Sequence, residues 1–297
     1  MGKIQLVRDI SRTTFIKDFL QESIPCVFKS QFSHLPALTR WVRPEKDDFS
    51  GQERSRQALR IDHFLRLISE NGRDPFVDVE TGRFNPDVQR LVEGQFTSPM
   101  QTVSQQTDFT RTEIPLSLFL KIHSAVPESL PESMRNIYLA QTPLLESLPA
   151  LKSDFLPLPK YLPAEAEKHV YGCSAWIGRN TYTPRHFDPN ENLYVMIAGR
   201  KKITLWEPEY NTKDLNTSDM EKLNKNRKKG ILGNRNFGAA KDGEVEYGHC
   251  VLEPGDGLFI PERWWHEVAS IEEEFTASVN WWFKEPYEND KITPIEH

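Results

Sequence analysis

Nothing in this 297-residue chain approaches the ~18 consecutive apolar residues of a membrane-spanning helix. Its best apolar run, around Leu193 to Ala198, is far shorter, so no membrane partner is expected. The opening Met1-Gly2-Lys3-Ile4-Gln5-Leu6 lacks a signal-peptide core, and Leu6 stands where a myristoylation signal wants Ser or Thr. Cysteine is scarce: Cys26, Cys173 and Cys250 are widely spaced, with no Cys-x-x-Cys pair. That excludes a disulfide framework and a thiolate zinc site, and fits reduced thiols in the cytoplasm or nucleus. Positive charge is not in excess either. With 37 basic and 43 acidic residues the net charge is −6, which argues against a wholly basic nucleic-acid-binding surface. No internal repeat is visible. What the chain does have is aromatic mass, seven Trp and seventeen Phe, and that excludes disorder over its whole length.

The pattern changes near Asn136. Before it, Val7 to Leu20, Leu59 to Ile68, Leu116 to Ile122 and Pro131 to Ile137 carry apolar residues at helical spacing, while Cys26-Val27-Phe28 reads as a strand. Residues 1–136 are therefore expected to form a mixed α/β region packing on a core. Beyond it, short apolar runs alternate with Gly and Pro punctuation: Tyr138-Leu139-Ala140, Ser174 to Gly178, Asn192 to Ile197, Lys202 to Trp206, Cys250-Val251-Leu252, Gly257 to Ile260 and Thr276 to Phe283. Many short strands at close spacing indicate a β-sandwich or barrel over 137–285. A long loop is expected near 211–248, and a tail over 286–297.

The chemistry concentrates at Thr183-Pro184-Arg185-His186-Phe187-Asp188. Side chains alternate along a strand, so His186 and Asp188 share a face. His266, after Pro261-Glu262-Arg263-Trp264-Trp265, supplies a second imidazole. Two histidines and one carboxylate form a facial triad that leaves coordination positions open on non-haem Fe(II), as an oxygenase needs. His186, Asp188 and His266 are the expected metal ligands.

The run Thr183 to Asn192, then Gly199-Arg200-Lys201, Gly255 to Pro261, Trp264-Trp265-His266, and upstream Tyr138-Leu139-Ala140-Gln141, resembles the JmjC/cupin-like Fe(II)- and 2-oxoglutarate-dependent oxygenases. Within them it is similar to the small hydroxylase branch that includes the asparaginyl hydroxylase factor inhibiting HIF. The likeness spans roughly Tyr138 to Phe283, with an echo at Ile24 to Phe28. It implies a mainly β fold with some α, a double-stranded β-helix (jelly-roll) preceded by the mixed helical region. It also implies Lys201, helped by Thr183, as the partner of the distal carboxylate of 2-oxoglutarate, which agrees with the need of a buried carboxylate for a cation. Tyr138 and Asn192 match further polar pocket positions, and Asn280 matches an amide near the metal-binding end of the cosubstrate. Lys202, the strand neighbour, must face away if Lys201 faces in.

The implied activity is hydroxylation of a protein side chain by O₂, with release of succinate and CO₂. Relatives of the same fold include tRNA-base hydroxylases and histone lysine demethylases, and a barrel without activity is the reading of another class. Lys222, Lys225, Arg227, Lys228, Lys229 and Arg235 form a basic cluster that could grip RNA or an acidic partner, but it has no interleaved aromatics and reads as a solvated insertion. No apolar helical stretch follows the last strand, so a monomer is expected. His249 is expected at a strand edge, and His34, His63, His123 and His169 at the surface or satisfied in the core.

Overall fold

The computed structural model describes residues 4–45, 56–81, 110–208, 246–271 and 275–286. The basic cluster, the expected long loop up to residue 245 and the tail beyond Pro286 lie outside the described residues.

Eight antiparallel strands build the core. The larger sheet takes β8 (Val170–Arg179), β10 (Glu191–Ala198), β13 (Gly257–Ile260) and β15 (Phe275–Phe283), in the order β13-β10-β15-β8. Facing it is a four-stranded sheet of β9 (Tyr182–Phe187), β11 (Lys201–Trp206), β12 (Gly248–Leu252) and β14 (Trp265–Ser270), in the order β12-β11-β14-β9. Apart from the β11–β12 pair, strands that follow one another from β8 to β15 lie in opposite sheets, which is the winding of a double-stranded β-helix.

The region before Asn136 does more than pack on this core, because its strands extend the larger sheet at both ends. Beyond β13 come β2 (Cys26–Phe28) and β1 (Gln5–Val7); beyond β8 comes β7 (Tyr138–Thr142), from after the boundary, and past it β5 (Phe76–Thr81) and β6 (Thr110–Pro115). A separate hairpin joins β3 (Val42–Glu45) to β4 (Arg56–Leu59). The helix expected over Val7 to Leu20 begins only at Arg12, because Val7 is already committed to β1 and the Ser11 side chain caps the helix by accepting from Thr14 N. It then continues as a π-helical turn, Ile16–Leu20. Likewise Leu59 ends β4, and the helix runs Ile61–Asn71.

The larger sheet is buried on both faces, so β10 and β15 carry no exposed side chain. Period 2 divides them. Leu193, Val195, Ile197, Val279, Trp281 and Phe283 join the cluster under the N-terminal helices. Tyr194 and Met196 face the barrel interior with Ile203, Leu205, Val268 and Leu258. The outer cluster is pinned by Phe15, whose ring lies 5.0 to 5.6 Å from those of Phe259, Tyr161 and Phe28. Each edge-on pair of this kind adds about 0.5–1.5 kcal/mol beyond the area it buries.

The turn between β10 and β11 sets the phase of the strand that carries Lys201. Gly199 has φ 66°, and a Cβ there would stand 2.5 Å from the Phe275 carbonyl oxygen. Only glycine meets both conditions. Gly199→Ala is expected to lower stability by about 2 kcal/mol or more, read as the urea midpoint shift at unchanged slope.

Candidate metal centre

The register of β14 against β9 makes His266 and His186 direct cross-strand partners. Their rings lie 4.2 Å apart, and one ligand atom from each, together with an Asp188 carboxylate oxygen, all fall within 4.8 Å of one another. Asp188 Oδ2 stands 3.7 Å from His266 Nε2.

Both imidazoles are oriented in the same way. His186 Nδ1 lies 2.8 Å from the Pro184 carbonyl and His266 Nδ1 lies 3.0 Å from the Trp264 carbonyl. A carbonyl only accepts, so each Nδ1 carries a proton, and in the neutral ring each Nε2 keeps its lone pair for the centre. Such anchoring of the second ring nitrogen is the usual companion of a metal-binding histidine. Burial pushes the Asp188 carboxyl up, but His266, His186 and hydrogen bonds from Trp282 and Asn192 outweigh it and hold the group below the usual carboxylate range. With both rings in the neutral form the site offers two imidazole nitrogens and a carboxylate, a donor set that fits non-haem iron.

Thr183 reaches the same interior through an irregularity. Between the His266–His186 and Val268–Thr183 pairs, β14 advances two residues and β9 three, so Pro184 and Arg185 form a bulge. Without the extra residue, Thr183 and His186 would point to opposite faces. Proline suits the position because it has no N–H to leave unpaired. Arg185 folds away from the centre, stacked 4.8 Å from both Trp206 and Trp265.

The pocket is lined by Tyr138, Trp176, Thr183, Asn192, Tyr194, Val268 and Asn280 together with the three ligand candidates. Behind the Tyr138 wall Lys201 is fully buried, whereas Lys202 is only partly so. The Lys201 ammonium lies 3.3 Å from Ser278 Oγ and 3.5 Å from Tyr138 Oη, and makes no ion pair among the described residues. Burial alone lowers its pKa from 10.5 to about 7. The Tyr138 ring fits because Gly178 faces it: a Cβ there would lie 2.9 Å from Tyr138 Cδ2. Tyr194, whose hydroxyl bonds Ser278, is pushed well above the ordinary tyrosine value by burial and by Tyr138, and stays protonated.

Of the eight residues expected from the sequence, the structure brings His186, Asp188, His266, Thr183, Tyr138, Asn192 and Asn280 to one pocket and sets the eighth, Lys201, behind its Tyr138 wall. Sequence reasoning missed Ser278, Tyr194, Trp176 and Trp282. Alternation from Asn280 finds Ser278 and Trp282 on one face of β15, and alternation from Asn192 finds Tyr194 on β10. Of the paired tryptophans, Trp282 faces the centre, donating from Nε1 to Asp188 Oδ2 at 3.0 Å, and Trp281 packs on Phe155 in the outer core. His249 sits exposed on β12, bonded to Glu246. His63 is buried against Asp154. His123 is buried between Phe119 and Phe275, and its Nε2 makes no hydrogen bond among the described residues. Among those residues no helix is long and apolar enough to cross a membrane.

Two four-stranded walls with a His-x-Asp and a distant His at one end define a double-stranded β-helix of the cupin type. The chain belongs to the cupin-like domain family, whose model matches residues 11–289. It is 29% identical over 270 residues to lysine-specific demethylase 8 of Xenopus tropicalis, covering 89% of this chain and 56% of that protein. It is 25% identical over 285 residues to lysine-specific demethylase JMJ30 of Arabidopsis thaliana, covering 93% and 54%. A shorter match of 176 residues, 34% identical, is to JmjC domain-containing protein F of Dictyostelium discoideum, with 51% and 36% covered. The crystal structure of E. coli ycfD superposes with a TM-score of 0.50 at 13% identity, covering 95% of this chain and 54% of that one, and supports the fold alone. The chain spans about half the length of the first two of these relatives.

A buried lysine whose folded pKa lies below its unfolded value makes stability rise with pH. Between about 7 and 10.5 the unfolded chain holds a proton that the folded chain does not. The stability difference between Lys201→Met and the parent protein is therefore expected to be largest below pH 7 and to shrink as pH rises toward 10, measured by urea unfolding across that range.

Proposed function

We propose that this protein is an Fe(II)- and 2-oxoglutarate-dependent dioxygenase that oxidises a C–H bond on a protein side chain. The observation that carries the reading is the pairing of two unlike ends in one pocket. Imidazoles and a carboxylate converge at one, and the buried Lys201 stands behind Tyr138 at the other. In this reading His186, Asp188 and His266 hold the iron, and Lys201 pairs with the far carboxylate of the cosubstrate, with Thr183 and Tyr138 as donors. Asn192 and Asn280 line the path between. When bound, iron with 2-oxoglutarate and O₂ supplies the oxidation, releasing succinate and CO₂ and placing one oxygen atom in the substrate.

The chain's part is positional. Lys201 at its lowered pKa gains a proton and a partner when a dicarboxylate arrives, so the inner end selects for an anion. Tyr138, Trp176 and Val268 replace water along the walls, which strengthens each polar contact inside. His186 and His266 stand on strands and Asp188 directly follows the end of β9, which holds their geometry tightly.

The names of the relatives favour a protein substrate and add lysine demethylation as a second reading. The two share one C–H step. If the oxidised carbon is an N-methyl group, the hydroxymethyl amine collapses to formaldehyde and free amine; otherwise the hydroxyl stays. Retained +16 Da mass on a substrate peptide supports hydroxylation, and formaldehyde release supports demethylation. A tRNA base as substrate would have to draw on the basic residues 222–235, and the pocket itself offers no support for it. The intact ligand set speaks against a barrel without activity. Action in the cytoplasm or nucleus is part of the same proposal.

Asp188→Ala is expected to abolish succinate formation from 2-oxoglutarate. Lys201→Met removes one partner of a buried charge pair and is expected to raise the KM for 2-oxoglutarate by roughly 30-fold or more. Succinate assays on both variants check this; undiminished turnover in Asp188→Ala defeats the ligand assignment.

A further inference from the structure

Trp176, Asn280, Asn192 and Asp188 form a one-way chain of hydrogen bonds along the inner wall. The Trp176 indole donates to Asn280 Oδ1 at 2.7 Å, Asn280 Nδ2 donates to Asn192 Oδ1 at 3.2 Å, and Asn192 Nδ2 donates to Asp188 Oδ2 at 2.9 Å. The direction is fixed by the two ends. An indole N–H can only donate and an ionised carboxylate can only accept, so both amides must turn their oxygens toward Trp176 and their nitrogens toward Asp188. Register supplies the spacing. Trp176 lies on β8, Asn280 on β15 and Asn192 on β10, three adjacent strands of the larger sheet, and all three side chains are buried.

Trp282, the cross-strand partner of Asn192, donates to the same Oδ2 at 3.0 Å. Two donors from different strands hold one oxygen, so the carboxylate cannot rotate about its Cβ–Cγ bond without breaking a buried hydrogen bond, whose loss is costly. The resemblance assigns Asn192 and Asn280 to the cosubstrate; the hydrogen bonds assign them also to the carboxylate ligand.

Resting on the metal-site reading above, we propose that Trp176, Asn280 and Asn192, with Trp282, are positioning residues for Asp188. The chain sets the rotation of the carboxylate and thereby the affinity of the centre for a divalent cation, before any cosubstrate binds. Trp176 acts from two amides away and is not itself among the three ligand candidates.

The test is Mn(II) binding to the whole chain without 2-oxoglutarate, with free Mn(II) read by electron paramagnetic resonance. Trp282→Phe keeps the ring and removes the donor, and should weaken binding by about tenfold, as for other partners behind metal ligands. Trp176→Phe should weaken it by roughly threefold. The double variant Trp176→Phe/Asn280→Ala should be no weaker than Asn280→Ala alone, since a broken chain cannot be broken twice. Visible bands of the Co(II)-loaded protein should shift in the same variants. Ion-free melting temperatures identify variants that fold; if Trp176→Phe does not, Asn280→Ala and Trp282→Phe carry the test. Unchanged Mn(II) affinity in folded Trp176→Phe and Asn280→Ala, or additive losses in the double variant, overturn the positioning role while leaving the metal site standing. Absence of Mn(II) binding by the parent protein overturns the metal-site reading itself.

Discussion

Three electron-pair donors facing one another, two buried and one half-buried, are an unfavourable arrangement that only a rigid backbone sustains. Two imidazole lone pairs and an ionised carboxylate gain nothing from each other's company, and each has been drawn out of water. Here the cost is borne by the pairing of β9 with β14, which sets His186 opposite His266, and by carbonyls that hold each Nδ1. The Asp188 carboxylate is steadied by Asn192 and Trp282 from the opposite sheet. Such a cluster makes physical sense as a seat for a cation, and the rest of the molecule is arranged to keep that seat in place.

The same logic recurs with reversed sign at the inner end of the pocket. Lys201 is a buried cation whose neighbours are hydroxyls, and desolvation holds its pKa near 7. One end of the cavity calls for a cation and the other for an anion. A ligand that carries a carboxylate and also chelates metal satisfies both, which is why the two ends taken together say more than either does. The strands of the N-terminal region, added to both ends of the larger sheet, and the cluster under the helices give this polar interior a packed outer wall.

Much of the centre was legible because period 2 is a local property. His186 and Asp188 are two apart, so they could be placed on one face without a fold, whereas Lys201 was reached through the resemblance. Thr183 could be reached only through the resemblance, since it stands an odd number of residues from His186 and alternation alone sends it outward. Trp282 could not be told from Trp281, because both are buried and only the site on one side distinguishes them. Among the elements, β5 and β6 went unread, although they finish the larger sheet on the far side of β7. Strand β6 is largely exposed, so it shows little of the alternation that burial imposes on a sequence.

By itself the sequence indicated the class of the fold, the pairing of His186 with Asp188 on one face, and, through short motifs, His266 and Lys201 as candidates. The tertiary structure alone decided that Thr183 faces inward, that Trp282 rather than Trp281 meets Asp188, and that two asparagines on different strands relay a hydrogen bond to the carboxylate. Those outcomes depend on a bulge and on which strands lie side by side. Register between strands distant in the chain arises from packing the whole sheet, and no local pattern encodes it.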